Sequence, residues 1–282
     1  RDKRTLEAIG DAKPDLDPRF LSTPKAVDYT ARDGTPIRAF LTLPRGRETR
    51  NLPLIIMPHG GPYGARDWLR YDDWVQLLAN RGYAVIQPNY RGSGGYGEAF
   101  FELGLGQIGR AMQDDLDDAM DWMVDQGLAD PSRVCIVGAS YGGYAAIWGI
   151  TRNPERYRCA ASWAGVTDWE GMMLSDSRFL TRQASRRWRE RVEGSEDYDL
   201  ALVSPKQRSD EINRPLLLAH GTDDGRVDVT QYHRLRLPLE KRKAPLTTLL
   251  IEGAGHSFYE EANEQKWFDA LVDFLGKHNP AD

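Results

Sequence analysis

The stretch Val-Cys-Ile-Val-Gly-Ala-Ser-Tyr-Gly-Gly-Tyr, residues 134–144, decides the fold. A short apolar run leads into one serine, Ser140, which stands between Gly138 and Gly142. This spacing is typical of a nucleophile elbow, a tight turn from a buried strand into a helix that exposes the serine hydroxyl. Such a turn leaves no room for side chains two positions before and after the serine, so both positions need glycine. An ordinary glycine-rich turn gives the same short pattern, and the surroundings must decide between the two.

Apolar runs of strand length recur on both sides of the elbow, separated by stretches with helical periodicity. In 111–126, for example, the apolar residues fall on one face and the aspartates on the other. Strands that alternate with helices predict a mostly parallel sheet with helices on both faces. Alternating residues over 25–43, with a turn at Asp33-Gly34, predict an antiparallel hairpin ahead of it. The runs predicted as buried strands are 53–58, 83–88, 133–138, 158–163, 215–220 and 247–252.

Two segments depart from this alternation. Residues 1–22 are polar, contain two prolines and lack a stable period, which predicts a connector or arm before a single domain over 23–282. Residues from about 165 to 213 contain no strand-like run and are rich in arginine, which predicts a helical insertion above the sheet. This insertion is as consistent with a solvated helical excursion as with a lid that shapes a substrate site.

Composition argues against several partners. The 37 basic and 42 acidic residues are well mixed and leave a net charge of -5, so no basic stripe suits nucleic acid or anionic lipid. No apolar run approaches the roughly 20 residues of a membrane span, which predicts a soluble protein. We find no phosphate-binding loop, dinucleotide fingerprint or metal-ligand cluster and expect neither cofactor nor metal. Cys135 and Cys159 lie in apolar runs, which predicts buried thiols and favours a cytoplasmic over a periplasmic or secreted location without deciding it.

A serine nucleophile needs a base, and the base needs an anionic partner. Among the five histidines, His256 follows the last strand-like run on a glycine-rich loop, where α/β sheets place reacting groups. For the acid, the loop after 215–220 offers Asp223, Asp224 and Asp228. Asp228 suits a helix cap, but the pattern alone leaves the choice open. The chain order serine, aspartate, histidine is that of α/β-hydrolases, and we therefore predict the α/β-hydrolase fold.

Stabilisation of an oxyanion needs hydrogen-bond donors, and "HGGP" (59–62) supplies a glycine-rich loop after an earlier strand. Gly60 and Gly61 would let backbone N–H groups approach a reacting carbonyl, and the N–H of Tyr141 would be the second donor. On its own, this loop is equally typical of an ordinary turn. With the elbow and His256 it indicates acyl transfer.

Five further motifs accompany the elbow in a fixed order: "HGGP", "GYAVIQPNYRGSGGYG" (82–97), "DDLDDAMDW" (114–122), "PLLLAHGTDDGRV" (215–227) and "GAGHSF" (253–258). Together they closely resemble the catalytic domain of the prolyl oligopeptidase family of serine peptidases, in particular its acylaminoacyl-peptidase and dipeptidyl-peptidase-like branch. The resemblance implies that Ser140 is the nucleophile, His256 the general base and Asp224 the orienting acid. It also implies that Arg226 contacts a substrate carbonyl.

The chain departs from the family pattern in two respects. Where the prolyl-specific members use a tyrosine side chain in the oxyanion hole, this chain has His59, which favours backbone donation by Gly61 with Tyr141 and disfavours strict proline specificity. Family members usually carry an N-terminal β-propeller as well. No such repeat lies in these residues, and 1–22 resembles the connector to one, which would make the chain an excised catalytic fragment. The resemblance is also compatible with a homo-oligomer.

The leading hypothesis is a serine peptidase that cleaves short peptides by an acyl-enzyme route. A carboxylesterase or another acyl hydrolase is the alternative, because fold and triad do not choose the leaving group. A non-catalytic binding domain is the third hypothesis. For the substrate pocket, the aromatic residues near the insertion are candidates together with His59, although aromatic residues there are equally typical of a core. These aromatic candidates are Trp163, Trp169 and Phe179.

Overall fold

Runs of β-branched and other apolar residues form the strands of one sheet in the computed structural model, which describes residues 13–14, 16–177, 180–194 and 198–281. Within these residues the sheet has eight strands, numbered along the chain. Their order across the sheet is β1-β2-β4-β3-β5-β6-β7-β8, and their bounds follow. The strands are β1 Lys25–Thr30, β2 Pro36–Thr42, β3 Leu52–Ile56, β4 Ala84–Asn89, β5 Ala129–Ala139, β6 Cys159–Trp163, β7 Leu216–Gly221 and β8 Leu246–Ile251.

Pairing in the sheet is antiparallel at one end and parallel elsewhere. β1 pairs with β2, and β2 pairs with β4, in antiparallel register, whereas the pairs from β4 to β8 are parallel. The predicted hairpin is therefore present, with Thr30 opposite Pro36 at its closed end. β3, β4, β6 and β7 are buried along their whole length, as expected of parallel strands covered on both faces.

Eight helices, among the described residues, cover both faces of this sheet. They are α1 Asp73–Asn80, α2 Glu98–Glu102, α3 Ala111–Asp125, α4 Tyr141–Arg152, α5 Trp169–Asp176, α6 Arg182–Glu193, α7 Thr230–Lys241 and α8 Glu261–His278. Alternate residues of β3 point to opposite sides: Ile56 packs in one apolar cluster with residues of α3, α4 and α7, and Ile55 in a second with residues of α1 and α8. The predicted α/β-hydrolase fold, a mostly parallel sheet with helices on both faces and an antiparallel hairpin, is confirmed.

The described residues between 165 and 213 form α5, α6 and two short 3-10 turns, at Leu200–Val203 and Ser209–Glu211, and contain no strand. Residues 1–12 and 15 of the predicted arm lie outside the described residues. Its remaining part contains a 3-10 turn at Pro18–Phe20 and ends at Ser22, whose N–H donates to Gln76 of α1. Among the described helices, none combines the length and the hydropathy of a transmembrane segment.

The prediction of two buried thiols was wrong, because Cys135 and Cys159 form a disulfide. Cys135 on β5 is the register partner of Cys159 on β6, with their Cα atoms 4.8 Å apart. Paired residues of adjacent strands point to the same face, so the two sulfur atoms meet inside the sheet's packed layer. Sequence spacing does not show strand register, and this is why the pair could not be predicted. The sequence argument for a reducing compartment no longer holds.

Candidate active site

Ser140 stands at the sharp turn between β5 and α4. Its φ of 59° lies in the left-handed region, which a residue with a side chain rarely adopts. A Cβ atom on Gly138 would lie 2.6 Å from the carbonyl of Gly142, and one on Gly142 would lie 2.1 Å from the carbonyl oxygen of Pro58. Both glycines are therefore required by close backbone approach. Strain of this kind persists only where the surrounding structure holds it in place.

Asp224 and His256 meet across the loops that follow β7 and β8. The Nδ1 atom of His256 lies 2.7 Å from Oδ2 of Asp224. The other carboxylate oxygen, Oδ1, accepts hydrogen bonds of 2.8 Å from the N–H groups of Arg226 and Val227. Burial alone would raise the pKa of Asp224, but the hydrogen bonds from His256 and from these two amides outweigh it and leave the pKa below its ordinary value. Asp224 is thus ionised at neutral pH and holds the Nδ1–H tautomer of His256.

The two neighbouring acids serve other purposes. Asp228 accepts a hydrogen bond from the N–H of Thr230 at the start of α7, as a cap does. Asp223 accepts from the Thr222 hydroxyl. Of the three aspartates left open by the sequence pattern, the structure brings Asp224 to His256.

His220, near the end of β7, supports the loop over 222–229 that carries Asp224, called the acid loop below. Its Nε2 atom lies 2.8 Å from the carbonyl oxygen of Val227, and burial lowers its pKa. The ring is therefore neutral, and Nε2–H donates to that carbonyl. One sign of this role is visible in the sequence, namely a histidine four residues before Asp224 at a strand's carboxyl end.

The glycine-rich loop at 59–62 lies against Ser140 at the turn between β5 and α4. A Cβ atom on Gly60 would lie 3.3 Å from Cβ of Ser140. His59 holds this loop: Nδ1 is 2.6 Å from the carbonyl oxygen of Gly60, Nε2 is 2.8 Å from the Ser93 hydroxyl, and the ring stacks on Tyr90. Both ring nitrogens are occupied by the protein, so His59 supports the loop from behind and does not offer a ring nitrogen to a substrate.

The hydrogen bond between His59 and the Gly60 carbonyl sets the direction of the Gly61 N–H. Burial lowers its pKa to about 4, so the ring is neutral at pH 7. A carbonyl oxygen can only accept, so we assign the proton to Nδ1, which donates to Gly60; the Ser93 hydroxyl donates to the carbonyl oxygen of Tyr90. In a trans peptide the C=O and the following N–H point in opposite directions. The N–H of Gly61 therefore points away from the His59 ring.

Tyr141 offers its backbone and not its side chain. The ring is buried, and its hydroxyl contacts the sulfur atom of Met112 at 3.2 Å. Its N–H belongs to the first turn of α4, where N–H groups have no partner within the helix and the helix dipole favours negative charge. This N–H is available to an oxyanion formed at Ser140.

The aromatic pocket candidates lie in the core. Trp163 and Trp169 are each 1% exposed. Trp163 packs against Phe258 and Trp169 against Tyr144, with ring centroids 4.3 and 5.1 Å apart. The structure therefore assigns these two tryptophans to packing and not to a substrate pocket. Phe179 lies outside the described residues.

A cavity of about 520 Å³ lies between the acid loop and the helices α5 and α6. The acid loop contributes Asp224, Arg226 and Asp228 to its lining. Burial raises the pKa of Asp176 on the opposite wall, while the nearby charge of Arg226 opposes that shift. The helix α6 lines the cavity with Arg187, Trp188 and Arg191. Among the described residues, no group of His, Cys, Asp and Glu side chains is placed to hold a metal ion.

The fold and the placement of these groups at the carboxyl ends of the strands define an α/β-hydrolase. The model of the prolyl oligopeptidase family matches residues 69–280, more than half of the chain. The chain therefore belongs to the prolyl oligopeptidase family.

Individual relatives agree with this assignment. Dipeptidyl aminopeptidase BIII of Pseudoxanthomonas mexicana is 34% identical over 97% of the chain, and the acylamino-acid-releasing enzyme of Sus scrofa is 27% identical over 92%. The solved structure of a puromycin-hydrolyzing peptidase of Mycobacterium tuberculosis superposes on 95% of the chain with a TM-score of 0.85 and 28% identity. The chain spans 41%, 36% and 41% of the lengths of these three proteins.

Proposed function

We propose that this chain carries the catalytic site of a serine peptidase that hydrolyses short peptides through an acyl-enzyme intermediate. The observation that carries the proposal is the 2.7 Å bond between Asp224 and His256, on two loops at the same edge of the sheet as the Ser140 elbow. Membership of a peptidase family supports the choice of substrate class.

In the proposed reaction, Oγ of Ser140 attacks the scissile carbonyl carbon while Nε2 of His256 takes the hydroxyl proton. Asp224 keeps the histidine in the Nδ1–H tautomer and stabilises the imidazolium that forms. The N–H groups of Gly61 and Tyr141 donate to the oxyanion of the tetrahedral intermediate. As the C–N bond breaks, His256 gives the proton to the departing amine. The acyl group remains on Ser140 Oγ as an ester.

The second half of the reaction repeats these steps with water. His256 removes a proton from the water as it attacks the ester carbonyl, and the same two N–H groups hold the second oxyanion. Collapse of this intermediate breaks the ester bond, and His256 gives the proton back to Ser140 Oγ. No hydrogen bond joins Ser140 Oγ to the His256 ring within the described contacts, and in free enzymes this bond often tightens only when substrate binds.

The acyl part of the substrate would lie towards the cavity beside the acid loop. Arg226 lines that cavity and would contact a substrate carbonyl there. Two relatives are named a dipeptidyl aminopeptidase and an acylamino-acid-releasing enzyme, and we propose that the group transferred to Ser140 here is similarly small.

The greater length of these relatives also supports the domain arrangement expected from the sequence. We propose that residues 23–282 form the catalytic domain, that 1–22 connect it to a further domain in the longer protein, and that this domain is a β-propeller that limits substrate size. Peptide cleavage by the full-length protein and by the 23–282 segment, compared over a series of peptide lengths, tests this arrangement; equal length limits would contradict it.

The function is tested with a fluorophosphonate probe and the Ser140→Ala variant. The probe should label the wild-type protein at Ser140, and the variant should lose both labelling and hydrolysis. Amide and ester substrates with the same acyl group then separate the candidates, because a peptidase turns over both and a carboxylesterase only the ester. Wild-type hydrolysis in Ser140→Ala would refute any serine mechanism at this site.

A further inference from the structure

Trp163, the last residue of β6, contacts the backbone on both sides of the candidate site. Its carbonyl oxygen accepts a hydrogen bond of 2.9 Å from the N–H of Ser140. Its indole Nε1–H donates a hydrogen bond of 2.9 Å to the carbonyl oxygen of His256. One buried residue is thus bonded to the backbone of both the candidate nucleophile and the candidate base.

The indole bond is the main constraint on the backbone around His256. The preceding residues are tied to the loop after β7, because Gly253 donates to the Thr222 hydroxyl and Ala254 accepts from Asp223. The next helix, α8, begins only at Glu261. Throughout the described part of the chain, the bond from Trp163 is the one hydrogen bond made to the backbone of residues 255–259.

Trp163 is itself held firmly. It is 1% exposed, and its ring packs against those of Phe258 and Trp267, with centroids 4.3 and 5.8 Å away. The next residue, Ala164, has a φ of 50°, so the chain turns sharply there, in the same left-handed region as Ser140. A donor fixed in this way is in position before the reaction and does not have to be ordered during it.

We propose that Trp163 is a positioning residue for the acyl transfer, acting through its indole N–H on the backbone of His256. Asp224 orients the imidazole ring. Trp163 fixes the backbone that carries the ring, and so sets the distance of the ring from Ser140. The inference rests on the proposed function. Because misplacing a reacting group by about 1 Å can cost as much as 10²-fold in rate, the bond should affect kcat and not substrate binding.

The test compares Trp163→Phe with Trp267→Phe. Phenylalanine keeps an aromatic ring at either position and removes the N–H. Trp267 is a matched control, because it belongs to the same cluster and is fully buried, and its indole N–H has no hydrogen-bond partner in the described part of the protein. Ser140 is first titrated with the fluorophosphonate, and kcat and KM for a peptide are then expressed per labelled site.

We expect kcat of Trp163→Phe to fall about tenfold or more with KM nearly unchanged, and Trp267→Phe to keep the wild-type kcat per labelled site. The bimolecular rate of fluorophosphonate labelling should fall with kcat. A purely structural role would lower the melting temperature and the labelled fraction of Trp163→Phe but leave each labelled site with wild-type turnover, and that result would overturn the inference.

A second variant covers the case in which Trp163→Phe does not fold. Site-specific replacement of Trp163 by benzothienylalanine keeps the fused ring and exchanges the N–H for sulfur. The same fall in kcat per labelled site supports the inference, and wild-type kcat contradicts it. Failure of the proposed function would appear separately, as a wild-type protein that the probe does not label.

Discussion

At the scale of single residues, the site depends on which oxygen and which nitrogen atoms already have partners. One carboxylate oxygen of Asp224 accepts hydrogen bonds from two backbone N–H groups, and the other is hydrogen-bonded to His256. Spacing could not separate Asp223 from Asp224, because neighbours in a loop point in different directions that only the fold decides. The choice of Asp224 came from a family resemblance, whereas Ser140 and His256 followed from local pattern and loop position.

Asp224→Asn should lower kcat by about 10⁴-fold with little change in KM, since asparagine cannot stabilise the imidazolium and favours the wrong tautomer, as the equivalent change does in trypsin-like peptidases. Steady-state peptide hydrolysis measures the effect. Asp223→Asn, a change of the same chemistry one residue away, should keep nearly full activity. Comparable losses in the two variants would argue against Asp224 as the acid.

His59→Phe should lower kcat by roughly 10- to 10²-fold, somewhat less than the loss of an oxyanion donor itself. Phenylalanine keeps the stacking on Tyr90 but releases the Gly60 carbonyl, so the N–H of Gly61 is no longer aimed. His59→Asn, whose amide nitrogen can replace Nδ1 as a donor, should recover part of the loss. If both variants keep wild-type kcat, His59 does not hold the loop.

At the scale of elements, hydrophobic pattern predicted where strands occur but not which strands are neighbours. The predicted run 215–220 became Leu216–Gly221, and 247–252 became Leu246–Ile251. The position of β3 between β4 and β5, and with it the register that joins Cys135 to Cys159, depends on crossovers that no local pattern reports. The short helix α2 was also missed, since five residues cannot show a helical period.

The helix α6 presents two kinds of arginine. Arg186 and Arg189 form ion pairs with Glu190 and Glu193, one turn further on. Arg187 and Arg191 line the cavity and have no carboxylate partner in the described part of the chain. The first pair supports the helix, and we expect the second pair to contact a substrate in the cavity.

Arg187→Gln and Arg191→Gln should each raise KM roughly two- to fivefold for peptides that carry an acidic side chain, because each removes one solvent-screened positive charge from the cavity wall. Peptides with glutamine in place of glutamate should show a smaller change. Arg186→Gln and Arg189→Gln on the same helix are the matched controls. Equal effects from all four substitutions would show that the cavity face has no special role.

At the scale of the whole molecule, stability should depend on pH through a mostly buried carboxyl group. Burial, with help from the nearby Asp72, raises the pKa of Asp67 to about 7, although a hydrogen bond from Gln87 opposes the shift. The folded state therefore keeps this proton to a higher pH than the unfolded chain does. Its contribution to stability is present at low pH and is lost as the pH rises through about 7.

Asp67→Asn removes this ionisation, so the variant should gain melting temperature over the wild type at pH 8, by several °C, and gain little at pH 4. Thermal unfolding at the two pH values measures the difference. Asp269→Asn, at an exposed position of α8, provides the control for the loss of one negative charge. A gain that is equal at both pH values would exclude Asp67 as its cause.

The described residues make a single hydrogen bond to the backbone of 255–259, and this has a consequence when the protein is heated. Ser140 is anchored between a central strand and a helix, whereas His256 stands on a segment that can open locally without the sheet coming apart. Amide hydrogen exchange should therefore be faster at 255–259 than at 136–144. On a temperature ramp, turnover should be lost reversibly before the far-ultraviolet circular dichroism of the helices and strands changes, so that the protein ceases to work while its sheet and helices are still folded.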